Sequence, residues 1–219
     1  ADRFTLTGFP YMNLAPKDRF FWDEGDVVGE IAYRSFFGRL TYDYGNKYLI
    51  QTNFRRDGSS KFASEYRWGF FPSVSAGWVI SEESFFEGLK DYADFLKIRS
   101  SYGELGNDRL GNYLYISDLS IGTNLFSKTD GTTISDQTAT LSKLVMRDIS
   151  WETTKTFNLG FDYVGLANRL TASFDYYNKK TYDILLSLNI PRFTGFSDPD
   201  TNVGDMYTNG WEFQIGWRD

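Results

Sequence analysis

The amino-acid sequence predicts an all-β fold, namely about seven antiparallel strands that form a segment of a transmembrane β-barrel. The first observation is alternation, because aromatic and aliphatic residues occupy every second position in seven segments and give each one apolar face. The second is that these faces carry no charged residue, although 24% of the chain is charged. The third is that Tyr and Trp gather at both ends of the segments, as in the two interfacial girdles of a membrane barrel.

The first three strands are predicted between residues 36 and 78. Phe36–Tyr44 alternates and is followed by Gly45-Asn46-Lys47, a tight turn because Gly and Asn tolerate positive φ. The second strand starts at Tyr48, and we expect Asp57-Gly58-Ser59-Ser60 to join it to a third strand that ends at Trp78.

Two features disturb this regular pattern. Pro72 lies within the third strand and has no N–H for a ladder hydrogen bond, so we expect a β-bulge there. Residues 81–93 lack the two-residue period, and Ser81 is predicted to cap a short helix that carries Phe85, Phe86 and Leu89 on one side.

The remaining chain predicts four more strands separated by a turn and two long loops. Polar residues predict solvent-facing loops at 104–150 and 183–208, with strand extensions at Tyr113–Ile116 and Leu141–Met146. The predicted strands include Leu96–Tyr102, Phe157–Tyr163, Leu170–Tyr176 and Trp211–Trp217, and Gly165–Asn168 forms the turn between the two middle ones. Residues 1–33 show little periodicity and are interpreted as an extracellular loop or the remnant of one, before a barrel segment at 34–219.

Composition excludes several kinds of site. The chain has no Cys and no His, which removes disulfides, thiolate chemistry, His/Cys zinc sites and the usual general base of a Ser or Cys nucleophile. A net charge of −6 argues against nucleic acid as a partner. No run of about 18 apolar residues is present, so no transmembrane helix is expected, and neither is a metal or a cofactor.

Polar and small residues occupy the strand faces opposite the apolar ones and predict the wall of a wet or plugged lumen. We expect short turns to face the periplasm and long loops to face outside. The candidate contacts to a ligand or plug are the charged residues of this wall. They are Arg39, Arg55, Arg99, Asp162, Asp175 and Glu212.

Other interpretations of these residues stay open at this point. The runner-up class is a soluble carbohydrate-binding β-sandwich, and a barrel hydrolase would use Asp43, Asp162, Asp175 and Glu212 as paired carboxylates. Residues 55–60 (RRDGSS) either contact a ligand or partner or are turn chemistry, and residues 104–111 (ELGNDRLG) either bind a cation or form a solvated loop. The loop aromatics Tyr113, Tyr115, Phe193 and Phe196 either stack on sugar rings or pack among the loops.

Six segments carry a family resemblance across most of residues 34–219. They read SFFGRLTYDYGNKYLI, RRDGSSKF, RWGFFPSVSAGWVISEESF, LKIRSSYGELGN, LGFDYVGLANRLTASFDYYNKKTYDILL and GDMYTNGWEFQIGW. On these segments the chain resembles the SusC/RagA-type TonB-linked outer-membrane transporters.

The resemblance implies the C-terminal part of a plugged barrel of about 22 strands in a Gram-negative outer membrane. Such proteins are not enzymes, and they import oligosaccharides or peptides with energy from TonB. The implied partners are the rest of the barrel and its plug, a SusD-like surface lipoprotein, TonB and membrane lipid. The chain carries neither a plug nor a TonB-contacting segment, so we expect other polypeptide to supply both.

Overall fold

The computed structural model describes residues 29–219 except 113, 118, 128, 130, 142 and 143. These belong almost wholly to one compact unit, Tyr33–Asp219. The predicted loop at 1–33 lies outside the described residues apart from its last five, and it stays a prediction. Tyr113, one of the proposed sugar-stacking residues, also lies outside them.

Seven strands form one antiparallel sheet in the order β1-β2-β3-β4-β7-β8-β9, and β5 and β6 form a separate hairpin. Apart from the β5–β6 excursion, each strand pairs with the next one in the chain, as expected for a segment of an up-and-down barrel. The strands are Tyr33–Tyr44 (β1), Tyr48–Ser59 (β2), Trp68–Val79 (β3), Ala93–Asn107 (β4), Leu119–Ser127 (β5), Thr133–Leu141 (β6), Glu152–Gly165 (β7), Leu170–Ser187 (β8) and Asp200–Trp217 (β9).

The pairing register confirms the predicted faces. Trp78 on β3 lies opposite Tyr48 on one side and Ile98 on the other. Ile98 in turn lies opposite Phe161, and Phe161 lies opposite Phe174. Residues opposite each other in a ladder share a face of the sheet. The apolar positions predicted strand by strand therefore merge into one continuous surface from β1 to β9, which we call the apolar face; the other side is the polar face.

The apolar face is exposed. Leu40, Val74, Leu159 and Ile215, taken from four strands, keep between 45% and 69% of their surface accessible. A β-sandwich would bury such residues in a dry interior between two sheets. The structure therefore favours a barrel wall over the soluble sandwich.

The two tight turns lie at the same end of the sheet, which we call the short-turn end. Gly45 and Asn46 have φ of 60° and 56°, as predicted for the first turn. In the second turn Leu166, Ala167 and Asn168 all adopt φ between 56° and 63°. The segment between β3 and β4 lies at this end too, because β2 and β3 run in opposite directions.

The bulge expected at Pro72 is absent, since the β2–β3 register runs without a break from Tyr48↔Trp78 to Gly58↔Trp68. The N–H of Val79 donates to the carbonyl of Lys47 on the β2 side. Alternation along β3 then directs the nitrogen of Pro72 toward β4, where the ladder stops at Ser73. Pro72 therefore lies where no donor is needed.

The helix predicted at 81–93 is wrong in type. Two 3₁₀ helices, Ile80–Glu82 and Ser84–Leu89, occupy the segment, and no side chain caps the first one. Ser81 lies inside the first helix and is buried instead of serving as its N-cap. Among the described residues, no helix is long and apolar enough to cross a membrane.

The loops are shorter than predicted, because strands extend into both polar regions. β4 continues to Asn107, β5 and β6 fold back on each other within 104–150, and the β8–β9 loop shrinks to 188–199. Asp57-Gly58-Ser59, predicted as loop, lies in β2. In β2 the residues Asp57, Gly58 and Ser59 are small or polar on both sides of the strand, so no alternation signals a strand there.

Candidate functional site

The polar face carries a cluster of charges centred on Arg99 of β4. In register, Arg99 lies between Gly77 of β3 and Gly160 of β7, so neither neighbour has a side chain to crowd its guanidinium. On β8 the position opposite Gly160 is Asp175, and Glu212 of β9 lies opposite Asp175. Asp162 of β7 lies on the same face, two residues from Gly160. The sheet thus brings four of the six predicted lumen residues, Arg99, Asp162, Asp175 and Glu212, into one patch.

Arg99 bonds to two carboxylates at once. Its Nε donates to Asp162 Oδ2 at 3.1 Å, and a terminal nitrogen donates to Asp175 Oδ2 at 2.7 Å. All three side chains are partly exposed, with 30–38% of their surface accessible. A pair this exposed contributes about 0.2–1 kcal/mol. Arg99 therefore fixes the directions of the two carboxylates more than it stabilises the fold.

The patch carries net negative charge. Arg99 offers one positive charge against the three carboxylates of Asp162, Asp175 and Glu212, and Lys97 lies opposite Asp162 in register. The arrangement differs from a carboxylate dyad, since a guanidinium separates Asp162 from Asp175. Asp43 lies apart, at the first turn, where its Oδ1 accepts the N–H of Asn46. The four carboxylates required by the hydrolase interpretation, Asp43, Asp162, Asp175 and Glu212, therefore do not form one site.

Arg39 and Arg55 bond elsewhere. Arg39 Nε donates to Asn53 Oδ1 at 2.7 Å, and Asn53 Nδ2 donates to Ser73 Oγ at 3.1 Å, which links β1, β2 and β3. Arg55 pairs with Asp57 on its own strand, near the end of the sheet opposite the short turns. Only Arg99, Asp162, Asp175 and Glu212 of the predicted residues thus form one patch.

A groove of about 610 Å³ runs along the polar face beside Arg99. Polar side chains from five strands line it. They include Thr41, Asp43, Gln51, Ser75, Lys97, Ser101 and Asn158. This surface offers both donors and acceptors to a ligand or a packed polypeptide. Among the residues that the structure describes, no group of three acidic side chains is arranged to hold a metal ion.

Residues 57–59 are buried in a structural unit, whereas Arg55 and Arg56 are exposed. Ser59 is fully buried and its hydroxyl donates to Asp108 Oδ2 at 2.8 Å, while Lys61 Nζ donates to the Asp108 carbonyl at 2.9 Å. Next to this unit, Phe62 and Phe71 pack on Trp151 in a small apolar core. Asp57-Gly58-Ser59 is therefore strand and not turn, and Asp108 is occupied by Ser59 and Lys61. A contact of the exposed Arg55 and Arg56 with a ligand or partner stays a prediction.

The loop aromatics differ in exposure. Phe193 is 90% exposed, on a one-turn 3₁₀ helix between β8 and β9. Tyr115 and Phe196 are half-buried. Of the described candidates for stacking, only Phe193 presents an open ring.

Charged residues on the apolar face lie toward its ends, among the aromatic residues there. Arg56 lies opposite Phe36 and Phe70 and over the Trp68 ring. At the long-loop end Lys155 pairs with Glu104 at 3.3 Å, and Lys180 pairs with Asp205 at 3.3 Å, with Lys180 Nζ 3.8 Å from the Tyr182 ring centroid. At the short-turn end Glu83 accepts hydrogen bonds from Tyr48 and Trp78.

Sequence reasoning missed these rim contacts and the role of the glycines beside Arg99. The only sequence signal for the glycines was that Gly77 and Gly160 alternate with the apolar residues of their strands and so belong to the polar face.

Comparison with known proteins gives a family match over nearly the whole chain. The family model described as TonB dependent receptor-like, beta-barrel, matches residues 3–218. The TonB-dependent receptor SusC of Bacteroides thetaiotaomicron is 37% identical over 183 residues, covering 83% of this chain and 18% of SusC. The TonB-dependent receptor P26 of Formosa agariphila is 37% identical over 181 residues, covering 83% of this chain and 18% of the relative.

The structure of the RagAB peptide transporter superposes with a TM-score of 0.72 at 30% identity, covering 86% of this chain and 20% of that one. The chain thus spans about a fifth of the length of the relatives it matches.

Proposed function

Because this chain belongs to the TonB-dependent receptor-like β-barrel family, we propose that it forms part of the wall of an active importer of oligosaccharides or peptides. The sheet is a segment of an outer-membrane β-barrel. The family is one of receptors and transporters, and we propose that this segment supports passage of a ligand and performs no catalysis.

The observation that carries this proposal is an apolar face whose middle carries no charge and whose charged residues lie only toward its two ends. A charged side chain on the lipid face of a barrel costs about 2–4 kcal/mol near the bilayer midplane and little near the interfaces. That cost explains why Glu104, Lys155, Lys180 and Asp205 lie at the long-loop end, beside aromatic residues such as Tyr182 and Tyr207. We assign this end to the cell exterior and the short-turn end to the periplasm.

The proposal requires further polypeptide on both sides of the sheet. Within the described residues β1 pairs only with β2, and β9 pairs only with β8. A seven-stranded sheet leaves two edges, which in lipid would expose unsatisfied backbone groups. We therefore propose that both edges pair with the rest of the barrel, that a plug fills its lumen, and that TonB supplies energy through that plug.

On the polar face, the negative patch around Arg99 is proposed to contact the plug or a passing ligand. Its carboxylates and the groove beside it offer hydrogen-bond acceptors to sugar hydroxyls, peptide N–H groups or cationic side chains. At the exterior, Phe193 and the loop at 188–199 are proposed to meet the ligand or a SusD-like surface lipoprotein. RagAB, one of the matched structures, is a peptide transporter, which supports peptide as one substrate class.

Uptake by living cells tests the proposal. A strain that lacks the full-length receptor is supplied with a panel of labelled oligosaccharides and peptides, next to the parent strain and a strain without TonB. We expect at least one panel member to enter the parent and to be excluded equally from the other two strains. Equal uptake of every member by all three strains would contradict import by this receptor.

A further inference from the structure

The segment that joins β3 to β4, residues 80–92, is too long and too apolar for an ordinary turn at the short-turn end. We call it the foot. Phe85, Leu89 and Tyr92 keep 66%, 51% and 68% of their surface exposed, while Ser81 and Phe86 are buried. The foot therefore presents apolar side chains on its outer surface and is packed against the protein on its inner one.

One end of the foot is fixed to the apolar face through Glu83. Its Oε1 accepts the O–H of Tyr48 at 2.7 Å and the indole N–H of Trp78 at 3.1 Å, and Lys47 Nζ donates to Oε2 at 3.2 Å. Tyr48 and Trp78 lie opposite each other on that face with their rings stacked at 6.5 Å. The Glu83 side chain is only 13% exposed, so it is packed against these residues at the short-turn end of the apolar face.

The other end is fixed to the same face by a separate contact. The O–H of Tyr163 donates to the carbonyl of Tyr92 at 2.5 Å, and Tyr163 lies opposite Leu96 on the apolar face. Between these attachments, the ring of Phe85 meets the ring of Trp78 edge-on at 6.5 Å. Two independent anchors and one ring contact thus hold the foot along the aromatic row of the apolar face.

We propose that the foot is an interfacial anchor that lies in the head-group region of the periplasmic leaflet, with Phe85 inserted among the lipid chains. The inference rests on the membrane placement in the proposed function and adds a site to it. The argument is continuity, because Phe85 extends the row Tyr44, Tyr48 and Trp78 that already ends the lipid-facing band. Amphipathic segments with aromatic residues on one side bind at this depth.

The occupant is therefore lipid and not a periplasmic protein. The charged residues of the foot fit the same position. Glu82, Glu87, Lys90 and Asp91 are exposed and alternate along the segment with its apolar residues. In a head-group region such residues reach water and polar lipid groups while their apolar neighbours reach the acyl chains.

Spin labels on the full-length receptor in phosphatidylethanolamine-containing liposomes test the proposal. Labels are placed by Phe85→Cys and by Glu87→Cys, the latter being the matched control because it is exposed two residues away on the same 3₁₀ helix. Collision with oxygen, which partitions into lipid, is compared with collision with a water-soluble nickel chelate. We expect the oxygen-to-nickel ratio to be several-fold higher at 85 than at 87.

A third label, by Leu159→Cys in the middle of the apolar face, separates failure of the foot from failure of the barrel. If the label at 159 has the high oxygen-to-nickel ratio of a lipid site while the label at 85 has the low ratio found at 87, only the foot proposal is overturned. If the labels at 159 and 85 both have the low ratio of a water-exposed site, the membrane placement is overturned together with the foot proposal. Glu83→Ala, which removes one anchor, should lower the ratio at 85 and leave 159 unchanged; an unchanged ratio at 85 would refute anchoring through Glu83.

Discussion

Arg99 reaches the carboxylate of Asp175 at 2.7 Å although the two residues lie on strands separated by a third. Adjacent strands lie about 4.8 Å apart, so the side chain of Arg99 crosses the whole width of β7. The position that it crosses is Gly160, and a Cβ there would lie 2.5 Å from Asp175 Oδ1. The bond between β4 and β8 therefore depends on the absence of a side chain on β7.

Gly160→Ala should break this bond and destabilise the barrel by about 1–3 kcal/mol, the usual cost of forcing atoms into an occupied space. The new Cβ meets not only Asp175 but also the carbonyl of Phe174 at 2.6 Å, which cannot rotate away. Urea unfolding of the full-length receptor in detergent measures the change. Gly122→Ala is the control, because nothing lies within 4 Å of a Cβ there. Equal unfolding midpoints for both variants would refute the crowding argument.

A double-mutant cycle on Arg99→Gln and Asp175→Asn should give a coupling of about 0.2–1 kcal/mol, because both side chains are partly exposed and water screens their attraction. Unfolding free energies of the wild type, both single variants and the double variant supply the four values. Arg55→Gln combined with Asp175→Asn is the control and should be additive, since Arg55 pairs with Asp57. Additivity of the first pair would mean that the 2.7 Å contact carries no energy.

The strand faces could be predicted because one local rule decides them. A side chain that meets hydrocarbon must be uncharged at every second position, and Leu159, Phe161 and Tyr163 display that rule without reference to any other strand. The hydrogen-bonded ladders between strands place the apolar positions of neighbouring strands opposite each other, as the pairing of Phe161 with Phe174 shows.

Features that depend on the pairing of several strands could not be predicted from the sequence. Arg99, Gly160 and Asp175 become neighbours only through two registers, so their network has no local signature. Pro72 was expected to distort β3. It does not, because the ladder between β3 and β4 ends at Ser73, and the sequence of β3 alone does not show where that ladder ends. Ser81 looked like an N-cap, but contacts of Glu83 with the sheet set the local geometry instead.

The two sides of β7 should respond in opposite ways to a charge. Phe161→Arg places a cation on the apolar face at a cost of about 2–4 kcal/mol near the bilayer midplane, whereas Asn158→Arg places it on the wet polar face. We expect Phe161→Arg to reduce the folded, membrane-inserted fraction, measured by heat-modifiable migration on gels, and Asn158→Arg to leave it near the wild-type level. Asp162→Arg should also insert better than Phe161→Arg. Equal effects at 161 and 162 would overturn the assignment of the faces.

The two edge strands should be protected from solvent in the full-length receptor. Every second amide of β1 and of β9 points away from its partner in this chain, and pairing with further strands would shield it. Amide hydrogen exchange in detergent measures this, with β7, which is paired on both sides, as the internal reference. Slow exchange of all amides in β1 and β9 is the expected result. Rapid exchange of alternate amides in both strands would show that the edges are bare.

The attachment of the foot should survive mild acid and fail only below the usual titration range of Glu. The hydrogen bond from Tyr48, and then that from Trp78, hold the pKa of the Glu83 carboxyl below its ordinary value. A lowered pKa in the attached state means that the attachment contributes its full stability above the ordinary Glu pKa of about 4.3 and loses it as the pH falls through the lower value. The mobility of a spin label at Phe85→Cys, followed from pH 7 to pH 3 in the full-length receptor, should therefore stay constant to below that ordinary pKa and then rise. Glu83→Gln cannot titrate and should give a flat profile across this range. A rise in mobility centred at or above the ordinary pKa would show that the bonds from Tyr48 and Trp78 do not favour the ionised carboxylate.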